Sequence, residues 1–223
     1  MPLILLKHIE EGQLGLWEIS EELEELIQFA HLSEADKASY SEISALHRKK
    51  EWLAVRALLN KLDSQSPRIN YHGDGRPHLE TGEFQISISH TKGFVAVLLH
   101  KTASPGIDIE LSSRDVERVA SRFLSDQEME ACSNGSPYTN RMRLIHWCAK
   151  EAIFKMIPLS NIQFSTDISI QLNDTKLDHG LFKGIFNSKS ASYTIQLEYL
   201  EFNTVLIVWG SNKGINQFNT ENF

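Results

Sequence analysis

The chain has 223 residues, 41% of them hydrophobic and 23% charged, with 22 basic residues against 29 acidic ones for a net charge of −7. That is globular composition, enough for one large domain or two small ones, and its acidity argues against a protein that lives by gripping nucleic acid. Two cysteines, Cys132 and Cys148, are too few for a disulfide scaffold, and no apolar run nears the ~20 residues that span a bilayer, so a cytoplasmic protein with no signal peptide and no membrane partner is expected.

Leu3 to Leu6 reads as a short strand, and Glu18 to Ile27 as a helix whose acidic residues form a solvated face. Ser33 can cap a second helix with Asp36 in its first turn. A longer helix then follows through Trp52 and Leu59, with no Gly or Pro to interrupt it. Residues 64–82 are turn-rich. Phe84 to His90 alternates, Thr91-Lys92-Gly93 turns, and Phe94 to Leu99 returns, which predicts a β-hairpin. Another turn at Ala103 to Gly106 leads into the strand Ile107-Asp108-Ile109-Glu110-Leu111.

The order then starts again. Leu124-Ser125-Asp126-Gln127-Glu128 is a capping box that echoes Leu32-Ser33-Glu34-Ala35-Asp36. Trp147-Cys148-Ala149-Lys150-Glu151-Ala152-Ile153-Phe154 can be laid over Trp52-Leu53-Ala54-Val55-Arg56-Ala57-Leu58-Leu59. Strands are expected at roughly 181–186, 193–200 and 204–209, and a poorly ordered tail after Gly210. The expected fold is α+β, in two similar halves related by a pseudo-twofold, 1–104 and 105–223. Chance likeness of two amphipathic helices is the alternative.

Three groups of residues bear on chemistry. Asp108 and Glu110 share one face of a strand, which suits a hard, oxygen-seeking cation such as Mg²⁺ or simply makes an acidic outer face. Glu151 and Lys155 lie four apart on a helix, the spacing of an ordinary salt bridge. Arg48 and Arg56 sit on one long helix, with Gly75-Arg76-Pro77 in the turn-rich loop and Ser89-His90 ending a strand. Arginines bind phosphate by charge-assisted bonds, although each of these also reads as a surface charge. His90, on an apolar parity, also reads as a core histidine.

Ile86-Ser87-Ile88-Ser89-His90, Gly106-Ile107-Asp108-Ile109-Glu110 and Trp147-Cys148-Ala149-Lys150-Glu151-Ala152-Ile153-Phe154-Lys155, in that order and spacing, resemble the 4′-phosphopantetheinyl transferases. Length and internal duplication resemble the surfactin-synthetase-activating (Sfp-like) type, a pseudodimeric monomer, rather than the shorter trimeric holo-acyl-carrier-protein synthases. Thr91, where a second Ser is usual, and Pro105 depart from the pattern.

The resemblance implies transfer of 4′-phosphopantetheine from coenzyme A to a serine of an acyl or peptidyl carrier protein. It also implies site roles. Arg48, Arg56, Ser89 and His90 would bind coenzyme A, with Arg48, Arg56 and His90 at its 3′-phosphate. Arg76 and Lys150 would lie near the pyrophosphate. Asp108, Glu110 and Glu151 would hold Mg²⁺, Glu151 would also serve as base, and Lys155 would stabilise the departing phosphate. Carrier docking is expected on the 112–140 segment, through Phe123, Leu124, Met129 and Met142. The rivals are a Mg²⁺-dependent hydrolase of nucleotide pyrophosphates and a non-catalytic coenzyme A- or carrier-binding module.

Overall fold

The computed structural model describes residues 2–133, 139–159, 161–172, 178–189 and 191–214. Its chain divides into two units, Met1–Thr102 and Ala103–Phe223. Among the described residues no helix is long and apolar enough to cross a membrane.

The first unit opens with two antiparallel strands, β1 (Leu3–Ile9) and β2 (Gly12–Glu18). β2 is the first departure from expectation, since the sequence pattern began a helix at Glu18. Leu14, Leu16 and Trp17 are all buried, and Gly15 lets a helix press close, because a Cβ there would meet the Leu58 side chain at 2.7 Å. The helix itself, α1 (Leu23–Ala30), starts later, behind a Glu22–Glu25 capping box. α2 (Glu34–Ser41) carries the expected cap, with Ser33 Oγ accepting from the Asp36 N–H at 3.1 Å. A break separates it from α3 (Leu46–Leu62).

The turn-rich loop contains a small hairpin of its own, β3 (Ile69–Tyr71) and β4 (Pro77–Leu79). The expected hairpin forms as β5 (Gln85–Thr91) and β6 (Phe94–His100), turned at Gly93, whose φ of +82° favours glycine. The sheet order is β1-β2-β6-β5, and Leu53, Ala54, Ala57 and Leu58 of α3 are buried against it without residual exposure.

The second unit begins with β7 (Ser104–Leu111), a 3₁₀ turn (Glu117–Arg122) and α4 (Asp126–Ala131), capped by Ser125 with Glu128 as expected. The long helix α5 (Thr139–Met156) follows, then the short α6 (Phe164–Asp167). Four strands complete it: β8 (Ile168–Gln171), which no pattern announced, β9 (His179–Asn187), β10 (Ser192–Phe202) and β11 (Val205–Asn212). The antiparallel sheet runs β7-β11-β10-β9-β8.

Helix α5 lies directly on this sheet. A Cβ at Gly106 would strike the Ala152 carbonyl and the Met156 side chain, and one at Gly184 would strike Ile153. Cys148, Ala149, Ala152 and Ile153 form its fully buried stripe. Residues 215–223 of the tail expected to be poorly ordered lie outside the described residues, whereas β11 continues past Gly210 to Asn212.

Candidate active site

In the second unit, β7 does not carry its carboxylates on a wet outer face. Six of its eight residues are buried, Asp108 and Glu110 among them. Each carboxylate meets a cation. Lys155 Nζ donates to Asp108 Oδ1 and to the Ile107 carbonyl, both at 2.8 Å, and the Arg114 guanidinium bonds Glu110 Oε1. The i,i+4 pair expected between Glu151 and Lys155 is therefore replaced by a bond from α5 to β7.

Glu151, one turn before Lys155, belongs to the same electrostatic group. Burial pushes its carboxyl up, and the charge of Asp108 pushes the same way, against the pull of Lys155 and Arg114. Asp108, Lys155 and Arg114 thus act electrostatically on Glu151, and Glu110 is linked to this group through Arg114. Carboxylate oxygens are the donors that a hard divalent cation takes. In the structure as it stands, Asp108 and Glu110 are turned to Lys155 and Arg114, and among the described residues no three His, Cys, Asp or Glu side chains are gathered for coordination.

Lys150 is a correction. Expected beside a pyrophosphate, it is fully buried, and its ammonium donates to Glu128 Oε2 at 2.6 Å and to the carbonyls of Phe123 and Phe164 at 2.7 and 2.8 Å. Those bonds use all three of its protons, so none remains for a ligand. Glu128 is equally engaged, accepting from Ser125 N and Ile170 N at 2.8 Å each. The docking expectation also changes. Phe123 and Leu124 are core residues, Met129 and Met142 pack partly buried against that core, and residues 134–138 of the segment lie outside those described.

In the first unit a cavity of about 610 Å³ brings together Arg48, Arg56 and His90, along with Glu42, Glu51, Trp52, Tyr71, Gly75, Pro77 and Ile88. His90 is no core histidine, with 44% of its side chain exposed. Arg48 Nη1 lies 3.0 Å from His90 Nε2 and 2.9 Å from Glu51 Oε2. An arginine only donates, so Nε2 accepts and the ring proton sits on Nδ1, 3.8 Å from the Glu51 carboxylate. Of the basic cluster, Arg48 alone lines the cavity; Lys50 bonds the Glu21 carbonyl and Lys49 lies over Tyr40.

Arg56 lines the cavity yet is nearly buried. Its guanidinium stacks on Trp52 with 3.1 Å to the ring centroid, and its Nε reaches Asp36 Oδ1 at 3.2 Å. Burial alone would raise the Asp36 carboxyl, but hydrogen bonds from Ser33 and Arg56, with the charge of Arg56, bring it below its ordinary value. Arg76 is drawn to Asp74 at 2.7 Å, so its neighbours Gly75 and Pro77 line the cavity rather than its own side chain. Ser89 is buried in β5 and is likewise absent from the cavity wall.

Sequence patterns missed Glu51, Tyr71, Asp36 and Arg114. Two of them had a signal: Arg114 in its four-residue spacing from Glu110, and Glu51 in its three-residue spacing from Arg48 on the same helix. Comparison with curated proteins found none that matches this chain. Residues 104–205, which include β7 and the whole of α5, match the family model of the 4′-phosphopantetheinyl transferase superfamily, and the match supports that superfamily for this chain.

Proposed function

We propose that the protein transfers 4′-phosphopantetheine from coenzyme A to a serine hydroxyl of a carrier protein, as an Sfp-like enzyme. The observation that carries this reading is the group formed by Asp108, Glu110, Glu151 and Lys155 where α5 meets β7, inside the segment that matches the superfamily. Asp108, Glu110 and Glu151 would hold Mg²⁺, which when bound neutralises charge on a pyrophosphate. Glu151 takes the serine proton, a task suited to a carboxyl that burial raises from its ordinary value. The serine oxygen forms the new bond to phosphorus as the bond to adenosine 3′,5′-bisphosphate breaks. Lys155, held beside Asp108, stabilises the charge on that leaving group.

The cavity of the first unit supplies the positive charge that a 3′-phosphate requires through Arg48 and Arg56, with His90 as a neutral hydrogen-bonding partner beside Arg48. Duplication is favoured by a shared burial pattern. The four fully buried positions of α3 (Leu53, Ala54, Ala57, Leu58) fall on four of the six of α5 (Cys148, Ala149, Ala152, Ile153, the other two being Lys150 and Met156) when Trp52 is set on Trp147. A monomer built of two related halves is the form that this implies.

The test incubates the protein with coenzyme A, Mg²⁺ and apo-carrier proteins and weighs the carriers intact. A carrier heavier by one phosphopantetheine is the expected result. Glu151→Gln should lower the rate by about 10²-fold or more while leaving the circular dichroism unchanged. Near-normal turnover by that variant would remove the role given to Glu151. Release of the bisphosphate without any carrier would instead identify a hydrolase.

A further inference from the structure

We infer that Glu51 determines which anion the first-unit cavity accepts: its carboxylate takes a hydrogen bond from a phosphate monoester that keeps one proton, and so favours that group over a sulfate ester, which has none. The inference rests on the reading of this cavity as a phosphate site.

Glu51 is an acceptor set among donors. Its Oε2 takes a bond from Arg48 Nη1 at 2.9 Å and faces His90 Nδ1 at 3.8 Å, with only 15% of its side chain exposed. The same Nη1 reaches His90 Nε2 at 3.0 Å. Arg48 itself is 53% exposed, and its fork keeps further N–H groups for an anion. An anion held there is the direct neighbour of a carboxylate.

The charge of the wall does little for a dianion. Arg48 and Arg56 are opposed by Glu51 and by Glu42 at the end of α2, and Arg56 is already paired with Asp36. His90 on β5 accepts from Arg48 and is neutral, and Tyr71 of β3 completes the titratable groups of the wall. A second negative charge on the ligand therefore gains little. A proton on it gains more, because an ionised carboxylate only accepts, and a P–OH donates to it in a charge-assisted bond. Phosphate monoesters lose their second proton at about pH 6, whereas sulfate monoesters have none to lose. Singly ionised, the two esters match in charge and shape, and the proton is what distinguishes them.

The experiment follows the Arg48 and His90 backbone amides of the full chain by nuclear magnetic resonance while methyl phosphate or methyl sulfate is added at about pH 5.5, where the phosphate keeps its proton. The wild type should bind the phosphate ester about 10-fold more tightly than the sulfate ester, the low end for a hydrogen bond to a charged group. Glu51→Gln, whose amide can donate to either ester, should reduce that ratio to about 2-fold or less. Glu42→Gln removes the same charge from the wall but leaves Arg48 its partner, and should keep the wild-type ratio. In the wild type the ratio should also fall at about pH 8, where the phosphate has lost its proton. Titration of His90 acts on both esters and drops out of the ratio. This last series needs no variant, so it decides the matter even where Glu51→Gln does not fold. The inference is overturned by an unchanged ratio in Glu51→Gln, by equal loss in Glu42→Gln, or by a wild-type ratio that is near one or does not fall with pH. If neither ester moves these amides, the phosphate reading of the cavity is refuted and the role of Glu51 goes with it.

Discussion

Arg56 combines two tasks that are usually separate. Its Nε closes an ion pair with Asp36 of α2 while its guanidinium lies on Trp52 and borders the cavity. The proposed ligand contact and a structural strut would therefore share one side chain. Arg56→Ala should destabilise the protein by about 1–3 kcal/mol, because it leaves Asp36 with one charged partner fewer. It should also weaken the preference for coenzyme A over dephospho-coenzyme A, to which Arg48 would still contribute. Asp36→Asn should reproduce the stability loss and keep the preference. Urea melts and competition binding with the two nucleotides separate these effects, and an Arg56→Ala protein that discriminates as well as the wild type would make Arg56 purely structural. Sequence pattern found Arg56 through its spacing from Arg48, but the partner Asp36 lies twenty residues away in a different helix. No local periodicity reports such a pair.

At the scale of elements, one buried ion pair joins five segments. Lys150 of α5 and Glu128 of α4 together bind the carbonyls of Phe123 and Phe164, the Ser125 N–H and the Ile170 N–H of β8. Lys150→Met leaves Glu128 buried without its cation and should cost about 3–5 kcal/mol, whereas replacing both members by apolar residues should cost much less. Thermal melts of the single and double variants check this, and equal losses would mean that the pair itself holds the segments in place.

The capping box at Ser125 and Glu128 was legible from four residues of sequence, because a cap is a local device. The second use of Glu128, as counter-ion to Lys150, was not. Lys150 read as a ligand-binding residue because its position in the motif says nothing of burial. β2 and β8 escaped for related reasons: Gly12 and Gly15 interrupt the first, and the second has only four residues.

For the whole molecule, acid stability follows from a histidine that plays no part in the proposed chemistry. His146 is 3% exposed, hydrogen-bonded to the Met142 carbonyl at 2.8 Å through Nδ1, and burial pulls its imidazole below the ordinary 6.5. The folded state holds it neutral while the unfolded chain protonates first. Its contribution is thus complete above pH 6.5 and is lost as the pH falls from there toward the depressed folded value. Within that window each pH unit costs at most about 1.4 kcal/mol. Urea midpoints at pH 7.5 and 5.5 should therefore diverge more for the wild type than for His146→Gln, and identical slopes would refute the assignment. The strand-and-helix alternation of both units was largely readable, since the β5–β6 hairpin and α5 have strong periodic patterns. The cavity in the first unit was not, because Tyr71 and Glu51 reach it from elements whose patterns say only that they are a turn and a helix.

The glycine floor beneath α5 bears on how mutational surveys of this protein are read. Gly106 stands two residues before Asp108, and any side chain there would drive the Ala152–Met156 turn of α5 off the sheet. Lys155 rides on that turn, and Glu151 immediately precedes it. An activity selection would score Gly106 as intolerant as the carboxylates themselves, though it touches no ligand. Intolerance along Gly106-Ile107-Asp108-Ile109-Glu110 is then a mixture of two kinds, one of spacing and one of chemistry, interleaved along five consecutive positions. Only a survey that scores folded abundance beside turnover can tell them apart.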